Sequence, residues 1–201
     1  TEAISRGRRD HSVSPEVVTE SLLSRAQERF DAGDTVSTLK YAGQAESLWA
    51  HGAEPSELLL VLARAYRRQA EEIIGAAGKD PAGDLAEIDA ATLKEAQAAY
   101  SAAAGYSRRH AESAVLTDNR AYGDSLWDSA DCADRAGDQE GAIQNLEEFA
   151  LGFPTDARQP EAKYRLARAY QARGDIQRAA QLYQELIDAR QTRDGTQGSG
   201  V

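Results

Sequence analysis

A chain of 201 residues with 23 Lys and Arg against 33 Asp and Glu carries a formal charge of −10, the reverse of the basic surface that DNA or RNA binding needs. Its single cysteine, Cys132, excludes an intrachain disulfide, and no stretch approaches the roughly 18 consecutive apolar residues of a membrane-spanning helix. Hydrophobic residues make up 41% of the chain but aromatics only 6%, so the interior must rest largely on Ala, the best helix former.

Residues 1–13 include Arg6, Arg8 and Arg9 and hold almost nothing to bury; they read as a disordered basic arm. Ser14-Pro15-Glu16 opens a first helix with a capping hydroxyl, Pro in the first turn and an acid behind it. Val18, Leu22, Leu23, Ala26 and Phe30 follow at helical spacing. Gly33-Asp34 then turns the chain: Gly takes the left-handed conformation that ends one helix, and Asp caps the next. The second helix carries Val36, Leu39, Ala42, Ala45, Leu48 and Trp49 and is expected to stop near His51-Gly52. Pro55 opens a third, with Leu58, Leu59, Leu62, Ala63 and Tyr66 on its apolar side, continuing through Ile73 and Ile74.

The breakers Gly75, Gly78, Pro81 and Gly83 interrupt that helix. Asp84 with Glu87 forms a capping box for a fourth, expected from Leu85 to about Ala111. Asp118-Asn119 starts a fifth, with Tyr122, Leu126, Trp127, Ala130 and Ala133. Gly137-Asp138 turns into a sixth that ends at Gly152-Phe153-Pro154. Pro160 stands in the first turn of a seventh, and Gly174-Asp175 turns into the eighth. Residues 191–201 are polar and Gly-rich and read as a flexible tail. No segment alternates as a strand does. The expectation is an all-α chain: a helical-repeat domain over 14–190 with about four antiparallel pairs, the second lengthened by an insertion over 75–84.

The repeated Gly-Asp corner, with Leu166, Ala167, Tyr170, Gly174, Ala179, Tyr183 and Leu186, resembles the tetratricopeptide repeat, a helix–turn–helix unit of about 34 residues. Ala130, Ala133, Gly137, Ala142, Leu146, Phe149 and Pro154 repeat the pattern one pair earlier, and Ala26, Gly33, Leu39, Ala42 and Ala45 in the first pair. The second pair begins with Leu62, Ala63 and Tyr66, then departs because the insertion precedes its matching helix around Ala96 and Tyr100. The resemblance implies an α-solenoid. In it Ala167 and Ala179 let two helices touch, while Tyr170 and Tyr183 fill the space between neighbouring pairs. Phe153-Pro154 through Tyr170 is similar to repeats of bacterial envelope proteins (outer-membrane assembly lipoproteins and periplasmic cell-division coordinators). That favours a periplasmic or envelope-associated place over the cytoplasm. A chain without Met reads as a mature product or a piece of something longer.

In that family the first helix of each pair lines the concave surface. Carrying its exposed positions over nominates Arg64, Arg67 and Arg68 on the third helix, Trp127, Asp131 and Asp134 on the fifth, and Tyr164 and Arg168 on the seventh. Spacings of three or four residues put each group on one helical face. The implied function is non-enzymatic: capture of a peptide or partner protein in the groove, its charges answered by the arginines and aspartates. The alternative is a structural, self-associating scaffold segment of a larger repeat protein, which leaves homo-oligomerisation open. The Lys, Asn and Arg clamp of chaperone-binding members is missing, since Leu23, Gln27, Leu60 and Arg64 stand there. Between Glu112 and Glu148 ten acids face two bases, a local charge of −8, while the last repeat leans basic; such polarity steers a basic partner toward the middle.

No catalytic constellation is visible. Cys132 has no His near it in sequence, and His11, His51 and His110 are scattered. Asp124, Asp128 and Asp131 share a helical face but lack the backbone oxygens of a calcium loop. No metal and no cofactor are expected.

Overall fold

The computed structural model describes residues 14–83, 85 and 88–197; the expected basic arm and the Asp84–Glu87 capping box lie outside them. Among the described residues there are eight α-helices and no strand: α1 (Pro15–Asp31), α2 (Thr35–Glu46), α3 (Ser56–Ala76), α4 (Ala90–Ala114), α5 (Asn119–Ala136), α6 (Gln139–Gly152), α7 (Gln159–Ala172) and α8 (Ile176–Gln197). Each packs on the next, and the most extensive contacts are those of α4 with α3 and with α5. The molecule is an α-solenoid of antiparallel pairs, and no described helix is long and apolar enough to cross a membrane.

The corners are one motif used three times. Gly33, Gly137 and Gly174 have φ of 77°, 81° and 82°, a region open to Gly and strained for other residues. At each corner the Asp N–H reaches back to close the preceding helix: Asp34 to the Arg29 carbonyl, Asp138 to Ala133 and Asp175 to Tyr170, all at 2.9 Å. The Gly N–H bonds the carbonyl of Phe30, Asp134 or Gln171 at 3.0–3.1 Å. Together these are the two bonds of a Schellman turn. The same Asp then caps the following helix, accepting from the Ser37, Gly141 or Arg178 N–H at 3.0, 3.0 and 3.2 Å. One dipeptide ends a helix and starts its partner, so the pairs turn back sharply.

Packing follows the pairs. Ala26, Ala42, Ala45, Leu58 and Leu62 join α1, α2 and α3. Ile74, Ile88, Ala96, Ala99, Tyr100 and Cys132 join α3, α4 and α5. Leu126, Ile143, Leu146, Phe149, Leu166, Tyr170 and Ala179 join the last four helices. Gly123, mid-helix in α5, leaves room for a ring: a Cβ there would sit 2.8 Å from Phe153.

Four expectations change. The second helix ends at Glu46 rather than near His51, because the chain leaves the helix and carries Trp49 across to α1, where its indole N–H donates to Thr19 Oγ1 at 2.9 Å. The fourth helix starts at Ala90, since Asp89 accepts from the N–H groups of Ala91 and Thr92 and Ile88 is buried ahead of it. α8 continues through Gln197, past residue 190 where the tail was expected to begin. Tyr183 does not bridge to another pair; its hydroxyl donates to Gln171 of α7 and its ring meets Tyr164 edge-on at 6.3 Å. Tyr170 does bridge, its buried hydroxyl donating to Glu147 of α6.

Candidate interaction face

The first helices of the last three pairs, α3, α5 and α7, are laced together by ions. Arg67 of α3 donates to Glu71 on its own helix at 3.1 Å, and across to Asp128 at 3.4 Å and Asp131 at 3.0 Å on α5. Arg165 of α7 reaches back to Asp131 at 3.3 Å and Asp134 at 3.4 Å. Arg135 adds a third guanidinium to Asp131 at 3.5 Å. Asp131, with a side chain 19% exposed, is therefore the hub at which three arginines meet. Burial alone would lower the Arg67 pKa, but Glu71, Asp131 and Asp128 outweigh it and raise it. The Asp128 carboxyl shifts upward: burial is the largest cause, and Asp131 and Asp124 reinforce it against Arg67.

Trp127 is wedged rather than offered. Its ring lies 5.4 Å from that of Phe149, with the Arg165 and Arg158 guanidinium groups 5.4 and 5.6 Å from its centroid. Arg158 is held in place by Asp156 at 2.8 Å and Asp124 at 2.9 Å. Its hydrogen bonds drop the Asp156 pKa to about 2.

Of the eight nominated residues, Arg67, Trp127, Asp131 and Asp134 therefore lie in or beside one network. Arg68 turns the other way, donating to the Phe30 carbonyl with its guanidinium 3.6 Å above the Phe30 ring. Arg64 and Arg168 are exposed; Arg64 is close enough to Asp128 and His110 to act on both, pulling each pKa downward. Tyr164 is 45% exposed. Sequence reasoning passed over Arg165, Arg135 and Arg158, and weighed Asp128 only as a metal ligand. One signal was present: aligning Gly137 with Gly174 places Asp128 on Arg165 and Asp131 on Arg168, so the charge reverses between successive repeats.

Replacing Asp131 by Asn keeps the shape and removes the hub charge. The expected loss is about 1–2 kcal/mol, shrinking as salt is added, read from urea midpoints at low and high ionic strength.

The remaining reactive groups are quiet. Cys132 is 1% exposed. Its thiol is pushed up to about 12, chiefly by burial, with Asp131, Asp128 and Glu71 adding to it against Arg67. Iodoacetamide should leave the native protein unmodified and label Cys132 fully in denaturant, as mass spectrometry will read. His110 is buried with Nδ1 2.6 Å from Ser125 Oγ; burial first, then Arg64, lowers its pKa, so it is neutral at pH 7.

Residues 161–190 match the tetratricopeptide repeat family. No curated protein matches the sequence. Among solved structures, a putative kinesin light chain from Podosopora anserina with nearly identical TPR-like repeats is similar at 20% identity over 90% of this chain and 98% of that one, with a TM-score of 0.38. A single-residue variant of the same protein aligns at 19% identity over 91% and 100%, also with a TM-score of 0.38. Residues 161–190 are a tetratricopeptide repeat, which spans the last antiparallel helix pair of the α-solenoid, α7 and α8.

Proposed function

We propose that the protein is a non-enzymatic interaction module that captures a peptide or partner protein along the groove formed by α3, α5 and α7. One observation carries this reading. Arg64, Asp134, Tyr164 and Arg168 stand exposed on successive first helices, over an ion-pair network that fixes those helices relative to one another. Arg67, Asp131 and Trp127 build the floor, because their charges and ring are already engaged within the chain. Exposed charges select a partner and set its rate of approach, while a preordered floor lowers the entropy lost on binding.

Arg64→Glu and Arg168→Glu test it. Both side chains are exposed, so the melting temperature should hold while recovery of cross-linked partner falls sharply. Unchanged recovery from the double variant removes the groove assignment. A place in a bacterial envelope rests on the resemblance of residues 153–170 alone, and cell fractionation tests it separately.

A self-associating scaffold is the second reading, favoured by the apolar side chains bared at the C-terminal end. Leu151, Ile176, Ile187 and Tyr164 are 83%, 60%, 50% and 45% exposed. Light scattering across a concentration series separates the two, since a scaffold gains mass with concentration and a monomeric module does not.

A further inference from the structure

A concavity lies away from the ion-pair network, between α1 and α3. It is a crevice of about 560 Å³ with Leu23, Trp49 and Val61 in its lining and Glu16, Glu20 and Glu57 beside them. Among the described residues no basic side chain lines it. All three glutamates are exposed, and none is in an ion pair among the described residues. Of the α3 arginines, Arg64 is not in the lining and Arg68 is engaged on Phe30. Trp49 is held by its bond to Thr19 at 2.9 Å, so this wall is set before any ligand arrives.

An apolar hollow fringed by three exposed carboxylates, one of which, Glu16, has a hydrogen-bonding neighbour in Ser14, fits one kind of occupant. We propose that the α1–α3 crevice anchors a basic segment of a partner protein, an apolar side chain entering between Leu23 and Val61 while flanking Lys or Arg residues meet Glu16, Glu20 and Glu57. The proposal rests on the reading that the first helices form the interaction face, and it names the chemistry taken at their N-terminal end. Apolar burial supplies affinity and the glutamates supply direction and selectivity. An acidic segment is repelled at the same fringe.

Trp49 is the reporter. In a Trp127→Phe background with unchanged circular dichroism, its emission is followed on titration with a synthetic peptide bearing a Leu-Phe pair between two arginines on either side. The expected result is a saturable spectral shift that weakens with salt. Glu16→Gln, Glu20→Gln and Glu57→Gln combined should weaken binding about tenfold, and replacing Leu-Phe by Ala-Ala should abolish the shift. No saturable change, equal affinity in the triple variant, or equal binding of a peptide with glutamates for arginines overturns the proposal. So does a shift that follows protein concentration alone, which assigns the crevice to a second copy. Tighter peptide binding after Arg6, Arg8 and Arg9 are changed to Ala assigns it to the chain's own first residues and likewise overturns a partner site. Arg168→Glu lies on α7, outside the crevice, and should leave the titration unchanged. A failed titration with partner recovery still dependent on Arg64 and Arg168 therefore removes the anchor alone, and the converse removes only the α3–α5–α7 groove.

Discussion

Arg109→Met is expected to destabilise the protein by about 3–5 kcal/mol, the cost of leaving a buried charge without its partner. The charge is Glu54, whose side chain is 3% exposed in the α2–α3 connector. Arg109 of α4 pairs with it directly, pairs with Glu46 at 3.5 Å, and lies 5.2 Å from the Tyr106 ring centroid. Burial pushes the Glu54 pKa up. The Arg109 guanidinium and the Gly52 N–H, at 2.7 Å, more than reverse that and hold it below the usual carboxylate range.

The sign with pH follows. In the native protein the folded pKa lies below the unfolded one. This contribution is therefore present above the ordinary carboxylate pKa and is lost as pH falls through the lowered value. In Arg109→Met only the backbone bonds, that of the Gly52 N–H among them, are left to oppose burial, so the folded pKa rises from its lowered value. The variant should then lose less stability than the native protein as pH is lowered. Chemical denaturation between pH 4 and 8 reads both slopes. A loss under about 1 kcal/mol, or parallel slopes for the two proteins, would rule out the buried-pair account. Adding Glu54→Gln to Arg109→Met should recover part of the loss, because the stranded charge goes with it.

Phe149→Ala should cost a comparable amount, about 3–5 kcal/mol, for a reason with no charge in it. Phe149 is fully buried, its ring 5.3 Å from Phe153 and 5.4 Å from Trp127, with the Arg158 guanidinium 5.0 Å from its centroid. Truncation opens a cavity where α5, α6 and α7 meet, and a stack of rings cannot collapse into it without moving α7. The denaturant midpoint measures the loss. Phe149→Leu, which fills most of the space, should cost well under half as much.

The helices and corners were legible because their causes are local. Gly then Asp is enough to close one helix and cap the next, and it did so at all three places where it occurs in that role. The start of α4 was misjudged because Asp84 and Asp89 are both plausible caps. Burying Ile88 against α3 selects Asp89, and that choice depends on a helix many residues upstream. Trp49 read as one more apolar position on α2, yet its hydrogen-bonding N–H found a partner on α1. The nominated face was half legible. Helical spacing grouped Asp131 with Asp134 and Trp127, and all three lie in or beside the ion-pair network of α5. The spacing also grouped Arg67 with Arg68, but adjacent residues on a helix point about 100° apart, so one meets α5 and the other α1. The Arg67–Asp131 and Arg165–Asp131 pairs join residues distant in sequence, and only the aligned repeats hinted at them.

The second hairpin is the longest in the molecule: α3 and α4 have 21 and 25 residues, against 12 in α2 and 14 each in α6 and α7. In a linear array, each unit is steadied only by those beside it, so cohesion concentrates where most surface is shared. Amide protons of α3, α4 and α5 should exchange with solvent last, and those of α1 and α8 first, the ends opening while the centre stays shut. A molecule bound across α1 and α3 would fasten one loose end to that spine.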